Sequence, residues 1–120
     1  MDSTHHLVTV RRVLGEPVFS ASGEKIGKIE DVLIDKTSGR TMYALMAFDG
    51  FFGIGTRYYP VPWAMLDYNT AAHGYVVPLT PAQIQDAHSV NDEEVKNEIE
   101  WRERVHEYYG VTPYLPGAFV

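Results

Sequence analysis

Residues 48–66 read FDGFFGIGTRYYPVPWAML, and the rest of the chain is organised around this stretch. It follows a strand-sized apolar run and combines aromatic side chains with glycines and prolines. Glycine supplies the backbone freedom that turns need, and Pro60 and Pro62 remove donors from a sheet ladder. The stretch therefore predicts an aromatic loop, residues 49–56, followed by a short strand at the edge of a sheet.

Three strands are predicted before this stretch. Residues 17–20 form the first, and a glycine-containing turn leads to residues 25–35, which are rich in β-branched side chains. The apolar positions of this second strand keep a period of two only if a bulge near residues 30–31 resets the phase. After a turn, residues 40–48 carry apolar side chains on both faces, which is typical of a covered central strand.

Beyond the stretch, a hairpin is predicted from residues 67–69 and 74–77. Thr80, Pro81 and Gln83 predict a capped helix start, and this helix runs to about residue 88. Asn91 and Glu94 indicate a second helix start, and Gly110 a stop after about residue 109. The proline-rich residues 111–120 are expected to lie extended against the domain or a second subunit.

The second helix is amphipathic in projection. One half is predicted to be the apolar face; its residues are Val95, Ile99, Trp101, Val105, Tyr108 and Tyr109. The other half is charged, with Glu98–Arg102 and Glu100–Arg104 as helpful pairs four residues apart.

Composition limits the possible functions. A chain of 120 residues fits one domain, divided here into a flexible segment (1–12), a β domain (13–90) and a helical extension with its tail (91–120). The net charge of −6 disfavours direct contact with nucleic acid. With no cysteine, disulfides, thiolate metal sites and a cysteine nucleophile are excluded. No signal peptide or transmembrane run is present, so a soluble cytoplasmic protein is expected.

No catalytic, metal or cofactor site is predicted. Asp31, Asp35, Asp49 and Asp67 are scattered over turns and strand ends, and His73, His88 and His106 are isolated in the sequence. The glycines at positions 50, 53 and 55 do not follow the dinucleotide-binding pattern. We therefore expect a protein without enzymatic activity and without a cofactor.

The ordered set of turns and strands resembles the PRC-barrel domain family. The resemblance rests on GEKIGKIEDVLID (residues 23–35), SGR (38–40), FFGIG (51–55) and VPW (61–63), and it covers roughly residues 13–90. RVHEYYGVTPY (104–114) is similar to an ending of some stand-alone bacterial members. The resemblance implies a mainly β fold: a small, strongly bent antiparallel barrel, here with a C-terminal helical extension.

The family resemblance implies docking to proteins. We expect a non-catalytic adaptor that forms a homodimer or a higher homo-oligomer and binds a protein partner, with peripheral membrane contact left open. Two alternatives follow from known members: an accessory module at the cytoplasmic face of a membrane, linked to photosynthetic electron transfer as in the reaction-centre H subunit, or a ribosome or RNA-processing accessory protein. The chain lacks the transmembrane helix of the first and the partner domain of the second.

Exposed apolar loops commonly mark contacts with other macromolecules. The aromatic loop is either such a patch or a lid over one barrel end. The predicted contact residues are Phe51, Phe52, Ile54, Tyr58, Tyr59, Trp101, Tyr108 and Tyr114.

Overall fold

The computed structural model describes residues 6–48 and 57–112 of the chain. These residues form one six-stranded sheet in the order β4-β3-β2-β1-β6-β5, with three helices. The strands are β1 (Pro17–Ser20), β2 (Lys25–Ile34), β3 (Thr41–Phe48), β4 (Tyr59–Pro62), β5 (Asp67–Asn69) and β6 (Gly74–Val77). The helices are α1 (Val10–Val13), α2 (Pro81–Gln85) and α3 (Glu98–Tyr109), and 3-10 turns span Trp63–Met65 and Glu94–Lys96.

The mainly β class and the C-terminal helix are confirmed, but the sheet is mixed and not wholly antiparallel. Strands β1 and β6 run parallel, with Val18 opposite Tyr75, and every other neighbouring pair is antiparallel. Two strands joined by a hairpin run antiparallel. Strand β6 instead forms a hairpin with β5 and is separated from β1 by a long connection, so it can lie parallel to β1. Within the described residues β4 and β5 are the two edges, so the sheet is not closed.

The bulge predicted in the second strand is confirmed. The register of β2 against β3 shifts between Ile29 and Asp31. Ile29 is buried in the apolar core on one face of the sheet, and after the shift Val32 packs against that same core. Leu33 packs against the cluster on the other face. The extra residue therefore lets this ten-residue strand direct apolar side chains into the cores on both faces of the sheet.

Gly27 lets β2 and β3 approach each other closely. A Cβ atom at this position would lie 2.0 Å from the carbonyl oxygen of Ala47 on β3. That oxygen belongs to the backbone and cannot rotate away as a side chain would. Glycine is therefore required by the narrow space between these two strands.

Two apolar cores lie on opposite faces of the sheet. The inner core contains Val18, Ile29 and Met46, together with Val13 of α1 and Ile84 of α2. The outer core lies beneath α3, and its buried members are Tyr43, Val90, Trp101 and Val105. Strand β3 separates the two cores, which confirms the prediction of a central strand with apolar side chains on both faces. Strand β4 lies at the sheet edge, as its prolines predicted.

The predicted second helix is broken at Asn97. Asn91 does cap a helical turn, because its Oδ1 accepts from the Glu94 amide at 2.8 Å. The turn ends at Asn97 (φ −96°, ψ 68°), and α3 begins at the next residue. The indole of Trp101 donates to the Val95 carbonyl at 3.1 Å. It thereby satisfies a carbonyl that the break leaves without a helical partner.

The structure also corrects the predicted apolar face. Ile99 is 86% exposed, and the buried stripe of α3 consists of Trp101, Val105 and His106. The projection placed Ile99 at the margin of the apolar half, about 160° around the helix from Trp101, so that a buried Trp101 leaves Ile99 facing outward. Gly110 ends the helix in the left-handed conformation (φ 70°), as predicted.

Candidate functional site

The aromatic loop itself lies outside the described residues, but both of its ends are fixed in the fold. Before it, the ring of Phe48 packs edge-on against Tyr59, with ring centroids 5.0 Å apart. After it, Tyr58 forms an isolated bridge with Val90, through two backbone hydrogen bonds of 2.7 and 2.8 Å. The loop therefore leaves and re-enters the fold at the edge of the sheet that β4 forms.

Arg57 fastens the end of the loop to the start of the C-terminal extension. Its Nε donates to Ser89 Oγ at 2.8 Å, and its Nη2 donates to the Ser89 carbonyl at 2.7 Å. Nη2 also reaches Glu94 Oε1 at 2.9 Å. The planar guanidinium suits this fork, since it offers several donors at fixed angles. The two segments expected to make contacts are thus joined to each other.

Glu94 connects this fork to the cap of the Glu94–Lys96 turn. The same Oε1 that receives Arg57 also accepts from the backbone amide of Asn91 at 2.9 Å. These interactions, first the amide and then the guanidinium, lower the pKa of the Glu94 carboxyl. Glu94, which the sequence indicated as part of a helix start with Asn91, therefore also binds the arginine that holds the end of the loop.

A second polar cluster holds α3 on the sheet. Arg102 Nε donates to the hydroxyl of Tyr43 at 3.0 Å, and that hydroxyl is hydrogen-bonded to His106 Nε2. His106 Nδ1 is 2.9 Å from the carbonyl of Val111. A carbonyl only accepts, so Nδ1 carries the proton and Nε2 accepts from Tyr43. The residues Tyr43, Arg102 and His106 are called the latch below.

Burial favours the uncharged forms of two latch side chains, the Tyr43 phenol and the His106 imidazole. The pKa of the His106 imidazole is lowered, chiefly by burial. The pKa of the Tyr43 phenol is raised by burial, which outweighs the opposing effect of Arg102. The Tyr43 ring also packs edge-on against Trp101, with 5.0 Å between centroids. The latch thus combines aromatic packing with a directed chain of hydrogen bonds across the sheet–helix interface.

The sequence did not reveal the latch. His106 appeared isolated because its partner Tyr43 lies 63 positions away. The spacing of Arg102 and His106, four residues apart on one helix, was the available signal. It could show that the two side chains share a face, but not that a tyrosine from β3 lies between them.

The eight predicted contact residues fall into three groups. Phe51, Phe52, Ile54 and Tyr114 lie outside the described residues. Tyr59 and Trp101 are only 8% and 2% exposed, because the former belongs to the inner core and the latter to the outer core. In the folded chain these two rings are packed internally and offer little surface to a partner.

The remaining two predicted residues are accessible to different degrees. Tyr58 is half-buried at the edge of the outer core. Tyr108 is 46% exposed, and its hydroxyl donates to the Gln83 carbonyl at 2.7 Å. Tyr108 therefore ties α3 to α2 while leaving part of its ring in solvent.

A shallow depression of about 330 Å³ lies between the first turn and the β5–β6 hairpin. Its lining is Phe19, Ser20, Ala21, Gly23, Asn69, Ala72 and Val76. The Ser20 hydroxyl accepts from the Glu24 amide and pairs with the Ser22 hydroxyl. The Ser20 hydroxyl is thus engaged in holding the turn.

In the two described ranges, no cluster of three or more His, Asp or Glu side chains is arranged to bind a metal ion. No helix among those residues is long and apolar enough to span a membrane.

The matching family model is that of the PRC-barrel domain, and it covers residues 5–84, or two thirds of the chain. No curated protein matches the sequence. The match begins before α1, inside the segment predicted to be flexible, and it ends in α2. It therefore leaves out Ser89 and Glu94, which bind Arg57, and also the two latch residues on α3. The chain belongs to the PRC-barrel domain family, and it carries a C-terminal extension beyond the matched region.

Proposed function

We propose that the protein is a non-catalytic interaction module that self-associates and docks on a protein partner. The aromatic loop and the C-terminal extension are its contact regions. The observation that carries the proposal is the fork of Arg57 on Ser89 and Glu94, which couples the loop to the extension. A docking loop gains affinity when its ends are held in place before the partner arrives.

The absence of catalysis is part of the proposal, and the latch supports it. Tyr43 and His106 are the groups in the described chain that most resemble an acid–base pair. Their hydrogen-bonding groups are engaged by Arg102, by the Val111 carbonyl and by each other. Side chains used in this way hold α3 in place and leave no free proton acceptor for a substrate.

Capture of a partner by the full chain tests the docking role. Phe51→Ser/Phe52→Ser removes the apolar character of the loop, and Tyr68→Ser is the matched control, since Tyr68 is 51% exposed on β5 at the opposite sheet edge. We expect one defined protein to be retained by the wild type and the control but lost by the loop variant. Equal retention by all three chains would contradict a docking role for the loop.

Shortening the chain to residue 90 is not a suitable test. It would remove Trp101 and Val105, and it would expose Tyr43 and Leu33 of the outer core to water. New self-association of such a fragment would then reflect the exposed core. Point variants of exposed residues in the full chain avoid this problem.

A further inference from the structure

Helix α3 presents an outward surface that the fold does not use. Ile99 is 86% exposed, and three acidic residues, Glu100, Glu103 and Glu107, lie on the exposed half of the helix with it. Arg104 is the basic residue on the same half. This surface, called the acidic face, therefore has one large apolar side chain set among an excess of negative charge.

The N-terminal segment presents a surface of the opposite kind. Leu7, Val8 and Val10 are 97%, 57% and 49% exposed, and the exposed Arg11 and Arg12 follow directly. No acidic residue occurs between positions 6 and 15. Neither arginine makes an ion pair within the described residues. This surface, residues 7–12, is called the basic segment.

The two surfaces lie on opposite sides of the sheet. The basic segment leads into α1, whose Val13 is anchored in the inner core. The acidic face belongs to α3, whose Trp101 and Val105 are anchored in the outer core. Because their anchors lie in different cores, the sheet stands between the two surfaces of one chain.

We propose that the basic segment of one copy binds the acidic face of α3 on a second copy. The two surfaces carry opposite charge and each also exposes apolar side chains, and this complementarity identifies the occupant as another copy of this chain. Since the two surfaces differ, the contact is head-to-tail, and it builds rings or open chains of subunits. This inference deepens the proposed self-association and rests on it.

Charge reversal tests the contact with matched partners. Chain one carries Arg11→Glu/Arg12→Glu, so both of its surfaces are acidic, and chain two carries Glu103→Lys/Glu107→Lys, so both are basic. Sedimentation velocity over a series of protein concentrations measures association for each chain alone, for the equimolar mixture and for the wild type. Circular dichroism checks that each variant is folded.

The expected result has three parts. The wild type associates, and raising the salt from 0.05 to 0.5 M weakens its association by about tenfold, since exposed charges are screened. Each reversed chain alone is weakened by about tenfold or more, because like charges face each other. The mixture recovers association, because its two chains are complementary at both surfaces.

Two outcomes would overturn the inference, and they differ in meaning. Wild-type association with reversed chains that associate equally well would show that self-association uses other surfaces, so the proposed function would stand. A wild type that is monomeric at every concentration and salt would remove self-association altogether. The docking role would still be decided by the separate capture experiment with the loop variant.

Discussion

The hydroxyl of Tyr43 on β3 donates a hydrogen bond to Nε2 of His106 on α3, and Arg102 donates to the same hydroxyl. This arrangement gives the extension a defined position on the sheet. Tyr43→Phe removes both bonds and leaves a buried imidazole nitrogen without a donor. We expect the free energy of unfolding in urea to fall by about 1–3 kcal/mol. Tyr68→Phe, on the exposed edge strand, is the control and should change it by less than about 0.5 kcal/mol.

The latch also predicts a pH dependence. Folding lowers the pKa of His106 below its ordinary value of 6.5, so the folded chain binds fewer protons than the unfolded chain between the two values. The contribution of His106 to stability is therefore complete above about pH 6.5 and declines as the pH falls below it. Urea titrations at pH 7.5 and 5.5 measure how much unfolding free energy is lost on acidification. This loss should be smaller in His106→Gln than in the wild type.

His73→Asn is the control for this pH experiment. His73 is exposed in a turn with φ 56°, a conformation that asparagine tolerates. This variant removes an exposed histidine without touching the latch, so an equal reduction of the acid loss in it would show that the effect is not specific to His106. An unchanged pH dependence in His106→Gln would show that other groups account for the loss of stability in acid.

Gly27→Ala should be among the most damaging small substitutions in the chain. The added methyl group would meet the Ala47 carbonyl oxygen at 2.0 Å, so β2 and β3 would have to separate. We expect a loss of about 3 kcal/mol or more in chemical denaturation. Gly23→Ala tests backbone strain without a clash, because Gly23 has φ 92° and open space around it. That variant should lose about 1–2 kcal/mol. Similar losses of unfolding free energy in Gly27→Ala and Gly23→Ala would argue against a close approach of β2 and β3 at Gly27.

Two substitutions on α3 distinguish its buried side from its exposed side. Trp101→Ala removes a side chain that is 2% exposed and should cost about 3–5 kcal/mol of unfolding free energy. Ile99→Ala, in the same helix, should change it by less than about 0.5 kcal/mol in dilute protein. Thermal and urea denaturation at low concentration provide the measurement. A large loss in Ile99→Ala would mean that Ile99 contributes to the core of the single chain.

The Arg57 fork can be weakened without changing the charge. Arg57→Lys keeps one cation near Glu94 but cannot reproduce the paired bonds to Ser89. We expect hydrogen exchange at the Tyr58 and Val90 amides to accelerate by about tenfold, because local opening becomes easier. Lys96→Gln removes the exposed pair with Glu93 and should leave these two amides unchanged. Equal protection in Arg57→Lys would show that the β bridge holds without the fork.

Much of the sheet could be predicted because its signals are local. The turns at Gly23 and Gly39, the bulge after Ile29 and the capping box at Thr80 each depend on a few neighbouring residues. The parallel pairing of β1 with β6 could not be predicted in this way, because two distant strands meet without a connecting turn. Position along the chain gives no physical cue to that neighbour.

The errors in the C-terminal region have the same origin. The cap at Asn91 and the stop at Gly110 were visible in the sequence, but the break at Asn97 was not. It depends on Trp101 entering the outer core and binding the Val95 carbonyl, which is a tertiary effect. The aromatic pattern indicated contact residues, whereas Tyr59 and Trp101 are used inside the fold. Hydrophobic type alone does not distinguish a partner's surface from the chain's own core.

The position of β1 determines how the domain can assemble. It lies between β2 and β6, so its second side stays open until residues 74–77 have been synthesised and have folded back. Closing so long a segment is entropically slow, and it must precede the burial of Val18 on both sides. A nascent chain that stalls before β6 would expose a pairing edge in the middle of its future sheet. The domain therefore depends on synthesis running to the last strand before β1 is safe from pairing with a neighbouring chain.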